Sequence, residues 1–186
     1  MASYAVLWML VLALCVVVVA LARQVGTLHL RLGPRGALEM DEEGPPLGEA
    51  PVPVMLDDIH GRRVAVGGPG EWQVVAFATL GCHLCAQILP SLPVAARGRR
   101  ATPIVIVDAD SSEAKGEFGN ARSDAAVIAS RSLPLDYAVP GTPYVVVLDD
   151  SGVVRSKGTV NNLEQLEGLI ETGITRARRD ERLRAG

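Results

Sequence analysis

Between Ala5 and Ala22 every side chain is apolar, a run that no later stretch of the sequence approaches. At 1.5 Å per residue it makes a helix of about 27 Å, close to the hydrocarbon thickness of a bilayer, with Tyr4 and Trp8 placed for one interface. The triplet Ala20-Leu21-Ala22 resembles a signal-peptide cleavage site. However, no Lys or Arg precedes the run, and it is longer than the usual apolar region of a signal peptide. The expectation is a retained single-pass anchor in the bilayer over residues 5–22. The helix continues through residues 24–32, so that residues 1–32 form the anchor and its extension, and Gly33-Pro34 stops it. Residues 33–51, built around Asp41-Glu42-Glu43-Gly44-Pro45-Pro46, read as an extended, solvated spacer.

From residue 52 the pattern changes to short apolar runs separated by turn residues. Val54–Asp58 and Arg63–Val66 flank Ile59-His60-Gly61-Arg62 and predict a hairpin, with His60 a turn residue. Residues 73–80 and 102–108 are unbroken apolar runs of the kind that buried parallel strands use. Between them, residues 82–98 predict a helix bent where Pro90 lacks an N–H. Residues 111–131 predict a helix, best supported from Ser123 to Arg131. Residues 144–149 and 153–160 predict two strands joined tightly by Asp150-Ser151-Gly152. Asn161 or Asn162 then caps a helix whose apolar stripe is Leu163, Leu166, Leu169 and Ile170. The order β-α-β-α-β-β-α over residues 52–175 predicts an α/β domain, a mixed central sheet with helices on both faces, preceded by a hairpin. Residues 176–186 are set apart as a charged tail.

The net charge of −3 argues against a nucleic-acid partner. The cluster Arg176, Arg178, Arg179, Arg182 and Arg184 is broken by Asp180 and Glu181; it reads as a solvated helix end, with a weak contact to anionic lipid as the alternative. Arg23, Arg31 and Arg35 follow the span, which by the positive-inside rule alone places the domain in the cytoplasm. A tethered dithiol is most useful where disulfides are made and kept, which argues for the other side. The residues alone leave the orientation open.

That dithiol is Cys82-His83-Leu84-Cys85, standing where strand 73–80 hands over to the bent helix. A thiolate at a helix N-terminus is stabilised by unpaired N–H groups and the helix dipole, and a second Cys one turn on can reach a mixed disulfide formed at the first. The expected roles are attack by Cys82 and resolution by Cys85. Zinc is the weaker reading. The third cysteine, Cys15, lies in the apolar run as a small lipid-facing residue, and His60 is not at ligand spacing. Haem attachment needs His after the second Cys, and Ala86 stands there.

The element order, with this dithiol, Pro90 eight residues after Cys82 and a proline in Gly141-Thr142-Pro143, resembles the thioredoxin fold. The resemblance implies that Pro143 is cis and lies against the dithiol, and that Thr142 offers its backbone to an extended client segment. More narrowly, the apolar span followed by Leu21-Ala22-Arg23-Gln24-Val25-Gly26 and the Asp41-Glu42-Glu43-Gly44-Pro45-Pro46 segment look like the MauD family of methylamine utilisation proteins. That likeness implies a periplasmic domain that helps mature the disulfide-rich small subunit of methylamine dehydrogenase. It also implies an exported cysteine-containing client, a membrane or soluble redox partner that resets the dithiol, and no cofactor. Two departures from common thioredoxins are Gly81 in place of Trp and Ala76 in place of a buried Asp. The missing carboxylate puts an efficient general reductase in doubt. His83 points the same way, since an imidazole beside the thiolate stabilises the reduced form and makes the disulfide more oxidising; its bland alternative is a solvated loop residue, and Leu84 and Thr142 join it as modulating candidates.

Three other functions compete. One is an extracytoplasmic reductant that keeps cysteines open for haem or metal insertion. Another is a peroxidase, hinted at by Thr79-Leu80-Gly81-Cys82 but lacking the proline that peroxiredoxins carry where Val75 stands. The third is a metal chaperone using the thiols as ligands.

Overall fold

The computed structural model describes residues 4, 6–18, 43–119 and 124–185, in two units divided between Arg35 and Gly36. In the first unit, residues 6–18 form helix α1, with large apolar side chains such as Trp8, Leu12 and Val16 exposed. No helix among the described residues is long and apolar enough to cross a membrane. The rest of the stretch 5–22, its extension to residue 32 and residues 33–42 lie outside the described residues.

The second unit opens with the expected hairpin, β1 (Val54–Asp57) paired antiparallel with β2 (Arg63–Val66). Asp58 holds its turn: one carboxylate oxygen accepts the N–H groups of His60 and Arg62, both at 2.8 Å, and the other accepts Arg62 Nε at 2.6 Å. The main sheet has five strands in the order β5-β4-β3-β6-β7, with β5 (Ala126–Ala129) and β7 (Val154–Thr159) at its edges. Strand β3 (Trp72–Thr79) lies at its centre, parallel to β4 (Ala101–Asp108) and antiparallel to β6 (Tyr144–Leu148). Both neighbours of β3 are strands and both its faces are covered, which is why its sequence runs apolar without alternation.

Alternate residues of the strands feed two cores. Val74, Ala76 and Ala78 with Val105, Val107, Val145 and Val147 pack under helices α2 (His83–Ile88), α3 (Leu92–Arg97), α4 (Ser111–Phe118) and α6 (Leu163–Ala185). Val75 and Phe77 with Ile104, Ile106, Val146 and Leu148 pack under α5 (Leu133–Asp136) and the hairpin residue Val66. Gln73, the one polar side chain buried in β3, is satisfied by the hairpin: its carbonyl accepts Gly67 N–H at 2.9 Å and its amide donates to Ala65 O at 3.2 Å.

Three expectations need correction. The helix expected from Ser123 to Arg131 is instead the strand β5 (Ala126–Ala129), parallel to β4. Four small or β-branched residues are too short a run to show a period, and tertiary pairing decided the matter. The helix in this region lies earlier, α4, started by a capping box in which Asp110 accepts Glu113 N–H and Glu113 accepts Asp110 N–H. The solvated-spacer reading fails from residue 43 onward. Gly44 N–H bonds Ala138 O, Gly48 N–H bonds Val154 O, Val154 N–H returns to Glu49 O, and Leu47 packs on the second core. The prolines and glycines there shape a docked strap rather than a free coil. Finally, the residues set apart as a charged tail continue α6 unbroken to Ala185. Asn162 caps that helix, its side chain accepting Gln165 N–H at 2.8 Å.

Candidate active site

Strand β3 ends at Thr79, and three residues later Cys82 begins the helix. Gly81 makes this sharp handover possible by adopting φ +67°, a conformation unfavourable for residues with a Cβ. Cys82 is the N-cap of α2: its sulfur accepts Cys85 N–H at 3.1 Å and its carbonyl accepts Ala86 N–H at 3.0 Å. The two cysteines are joined in a disulfide, with Cα atoms 5.2 Å apart. They differ in access. Cys82 is half-buried, whereas Cys85 is 2% exposed and belongs to the first core, as does Ala76. An incoming thiolate can therefore approach only one of the two sulfurs.

The other expected residues lie on the helix that the pair opens and on the loop before β6. Pro90 sits in the 3₁₀ turn Leu89–Ser91 that bends α2 into α3. His83 and Leu84 are both exposed, Leu84 by 40% of its surface, and His83 Nδ1 lies 3.3 Å from Gln87 Nε2, one turn along the helix. The Thr142–Pro143 peptide is cis, and Pro143 is buried. Pairing of Phe77 with Tyr144 places Thr142 opposite Thr79, and the hydroxyls of the two threonines are 3.1 Å apart. The loop is thus tied to the end of the strand that delivers the dithiol. Among the described residues no three His, Cys, Asp or Glu side chains gather as a metal site.

One participant is absent from the sequence reading. Glu117, in the last turn of α4, accepts Gly81 N–H with both carboxylate oxygens, at 3.1 and 3.3 Å. A carboxylate in a last turn opposes the helix dipole, which would have flagged it had the bounds of α4 been known. The buried position at Ala76 carries no acid, but a negative charge reaches the dithiol loop from a different element.

No protein-family model matches the chain. It is 34% identical over 178 residues to the methylamine utilization protein MauD of Methylorubrum extorquens, covering 91% of this chain and 84% of that one. With MauD of Paracoccus denitrificans the identity is 33% over 182 residues, covering 94% and 88%. The chain belongs to the MauD family. Among solved structures it is similar to the thioredoxin domain of a thiol-disulfide oxidoreductase from Bacteroides vulgatus, with a TM-score of 0.55 and 16% identity, covering 67% of this chain and 95% of that one. This MauD-family chain therefore carries a thioredoxin-like fold with a mixed central sheet, and it places on that fold the disulfide of a thiol–disulfide oxidoreductase.

Proposed function

We propose that the protein is a membrane-tethered, extracytoplasmic oxidoreductase that forms or rearranges disulfides in an exported client, the small subunit of methylamine dehydrogenase or of a similar amine dehydrogenase. The observation that carries this reading is the unequal access of two bonded sulfurs at a helix start, Cys82 open and Cys85 at 2% exposure. A client thiolate attacks Cys82 Sγ, the Cys82–Cys85 bond breaks, and Cys85 leaves as a thiolate that takes up a proton. A second client thiolate then attacks the client sulfur of the mixed disulfide and expels Cys82 as a thiolate. Two client thiols have been oxidised and one disulfide reduced, and a membrane or soluble redox partner carries the two electrons away. Pro143 and Thr142 bound the path along which the client segment lies, and exposed Leu84 offers it an apolar contact.

The oxidising direction and the location have separate support. Cys82 is the helix cap, so its thiolate inherits the Cys85 N–H as a donor. His83 adds a cationic neighbour when protonated, and no buried acid stands at Ala76 to draw the proton from the resolving thiol. The methylamine utilisation relatives and the apolar run over residues 5–22 favour a tether on the periplasmic side. The test is mixed-disulfide trapping in cells growing on methylamine. Cys85→Ser should accumulate a covalent adduct with an exported multi-cysteine protein, and Cys82→Ser should trap nothing. Equal trapping by both variants, or adducts with cytoplasmic proteins alone, would refute the proposal.

A further inference from the structure

The strap that leads into the redox domain is fastened to the residue next to Pro143. Glu43 O accepts the Tyr144 hydroxyl at 3.0 Å, and Gly44 N–H donates to Ala138 O at 3.1 Å. Gly44 has φ +74°, and a Cβ placed there would stand 2.8 Å from Cζ of the Tyr144 ring. Glycine is needed twice over, for its backbone conformation and for the ring that lies against it. Further along, Gly48 and Glu49 exchange hydrogen bonds with Val154, which is paired with Leu148 at the far end of β6. The strap thus bonds the first residue of β7, across from the last residue of β6, and lies against the first residue of β6, Tyr144. Tyr144 is 1% exposed, follows Pro143 directly and pairs with Phe77 on the dithiol strand. A displacement of its ring is passed through one peptide unit to the Thr142–Pro143 loop.

We propose that Gly44 and Tyr144 are positioning residues for client exchange: the docked strap holds the Thr142–Pro143 loop at the place where an extended client segment must lie. This rests on the reading of the protein as an oxidoreductase acting on extended clients, and it goes further by making the strap over residues 43–49 part of the substrate site. A segment serving only as a spacer requires neither a left-handed glycine against a buried ring nor a half-buried carbonyl facing its hydroxyl. Thiol chemistry at Cys82 itself does not pass through this contact. The strap should therefore govern reaction with a peptide and leave reaction with a small thiol alone.

The experiment uses the full chain in lipid nanodiscs, as wild type, Gly44→Ala and Tyr144→Phe. Two reactions of the Cys82–Cys85 disulfide are timed by acid quench and thiol alkylation, one with dithiothreitol and one with a reduced synthetic peptide carrying two cysteines in an extended sequence. Displacing a binding element by about 1 Å slows reaction by up to about a hundredfold, so Gly44→Ala should slow peptide oxidation about tenfold or more. Tyr144→Phe, which removes the hydrogen bond to Glu43 O and keeps the ring, should slow it less. The dithiothreitol rates and the midpoint potential should stay at the wild-type values in both variants. Peptide rates unchanged in both folded variants would overturn the proposal, and so would an equal fall with peptide and dithiothreitol, the mark of general loosening. If Gly44→Ala does not fold, Tyr144→Phe decides, with its melting curve as the check on folding. A wild-type protein that reacts with dithiothreitol but oxidises no peptide overturns the oxidoreductase reading and this proposal with it, and the wild-type trace alone reveals that case.

Discussion

Replacing Glu117 with Gln should make the dithiol more oxidising. Glu117 grips Gly81 N–H through both oxygens, and Gln keeps an amide oxygen to accept the same donor, so the loop is held while the charge is removed. The reduced protein carries negative charge on the Cys82 thiolate and the disulfide form carries none. A nearby carboxylate therefore penalises the reduced state, and its removal raises the midpoint potential. One residue spacing beyond the gripped N–H puts the sulfur roughly 7 Å from the carboxylate, and at an effective dielectric of about 40 the repulsion is about 1 kcal/mol. For a two-electron couple, 30 mV corresponds to about 1.4 kcal/mol, so the expected rise is about 20 to 25 mV at low ionic strength. With a Debye length of about 8 Å, physiological salt should cut that by half or more. The assay is a glutathione redox titration of wild type and variant, repeated at low and physiological salt and at a pH acid enough to protonate both thiols, where the difference should vanish. A change below about 5 mV at low salt, or a fall, would refute the electrostatic role and leave Glu117 as a loop clamp.

His83→Ala should move the potential the other way, because the reduced state loses the imidazole at the first position of α2; an unchanged or higher value in the same titration would place His83 among the merely solvated residues. Burial of Asp58 opposes its ionisation, but the N–H groups of Arg62 and His60 and the Arg62 guanidinium outweigh that and hold its carboxyl below the ordinary range. A depressed folded-state value stabilises the protein above the unfolded value of about 3.9, and that stability is lost as pH falls through the folded one. Asp58→Asn should therefore lower stability to denaturant by about 1 to 3 kcal/mol at pH 7, with the gap to wild type narrowing below about pH 4; a gap independent of pH would contradict this. Among the described residues the Tyr137 hydroxyl has no hydrogen-bond partner, and desolvation pushes its pKa up to about 12. Tyr137→Phe keeps the ring against Phe77 and should be neutral or stabilising by up to about 1 kcal/mol in urea unfolding; a loss above 1 kcal/mol would mean that the hydroxyl has a partner.

What the sequence makes legible follows the range of the physics involved. The dithiol, the bend at Pro90 and the strands β3, β4, β6 and β7 are written in local patterns of a few residues, namely unbroken apolar runs, a turn of Asp-Ser-Gly and a proline that removes a donor. The region after β4 also carries a local signal. Asp110-Ser111-Ser112-Glu113 is a capping box that announces α4, and it lies well before the Ser123 to Arg131 stretch, part of which forms β5. That strand owes its existence to a partner outside its own pattern: β4 lies on one side, and Ile59, from the hairpin turn, donates its N–H to Val127 O.

The site divides along the same line. Cys82 and Cys85 are a four-residue signal, but the groups that tune and frame them arrive from far along the chain. Glu117 lies 36 residues from Gly81, Thr142 lies 63 from Thr79, and Glu43 lies 101 from Tyr144. No periodicity links such pairs, and composition misleads about one of them. Glycine, proline and acidic residues signal a solvated coil when nothing is known to lie beside them, and the same residues suit a strap whose backbone is satisfied by β7 and the end of α5. The acid missing at Ala76 shows what this means for chemistry. Judged from the strand alone, its absence removes carboxylate influence from the dithiol and predicts an unopposed oxidant. In the folded protein a carboxylate returns through α4, exposed rather than buried and on the loop before Cys82 rather than within the core beside Cys85. Placed there it should oppose a thiolate on Cys82 rather than serve Cys85, and the expected result is a tempered potential without the proton acceptor that a general reductase uses.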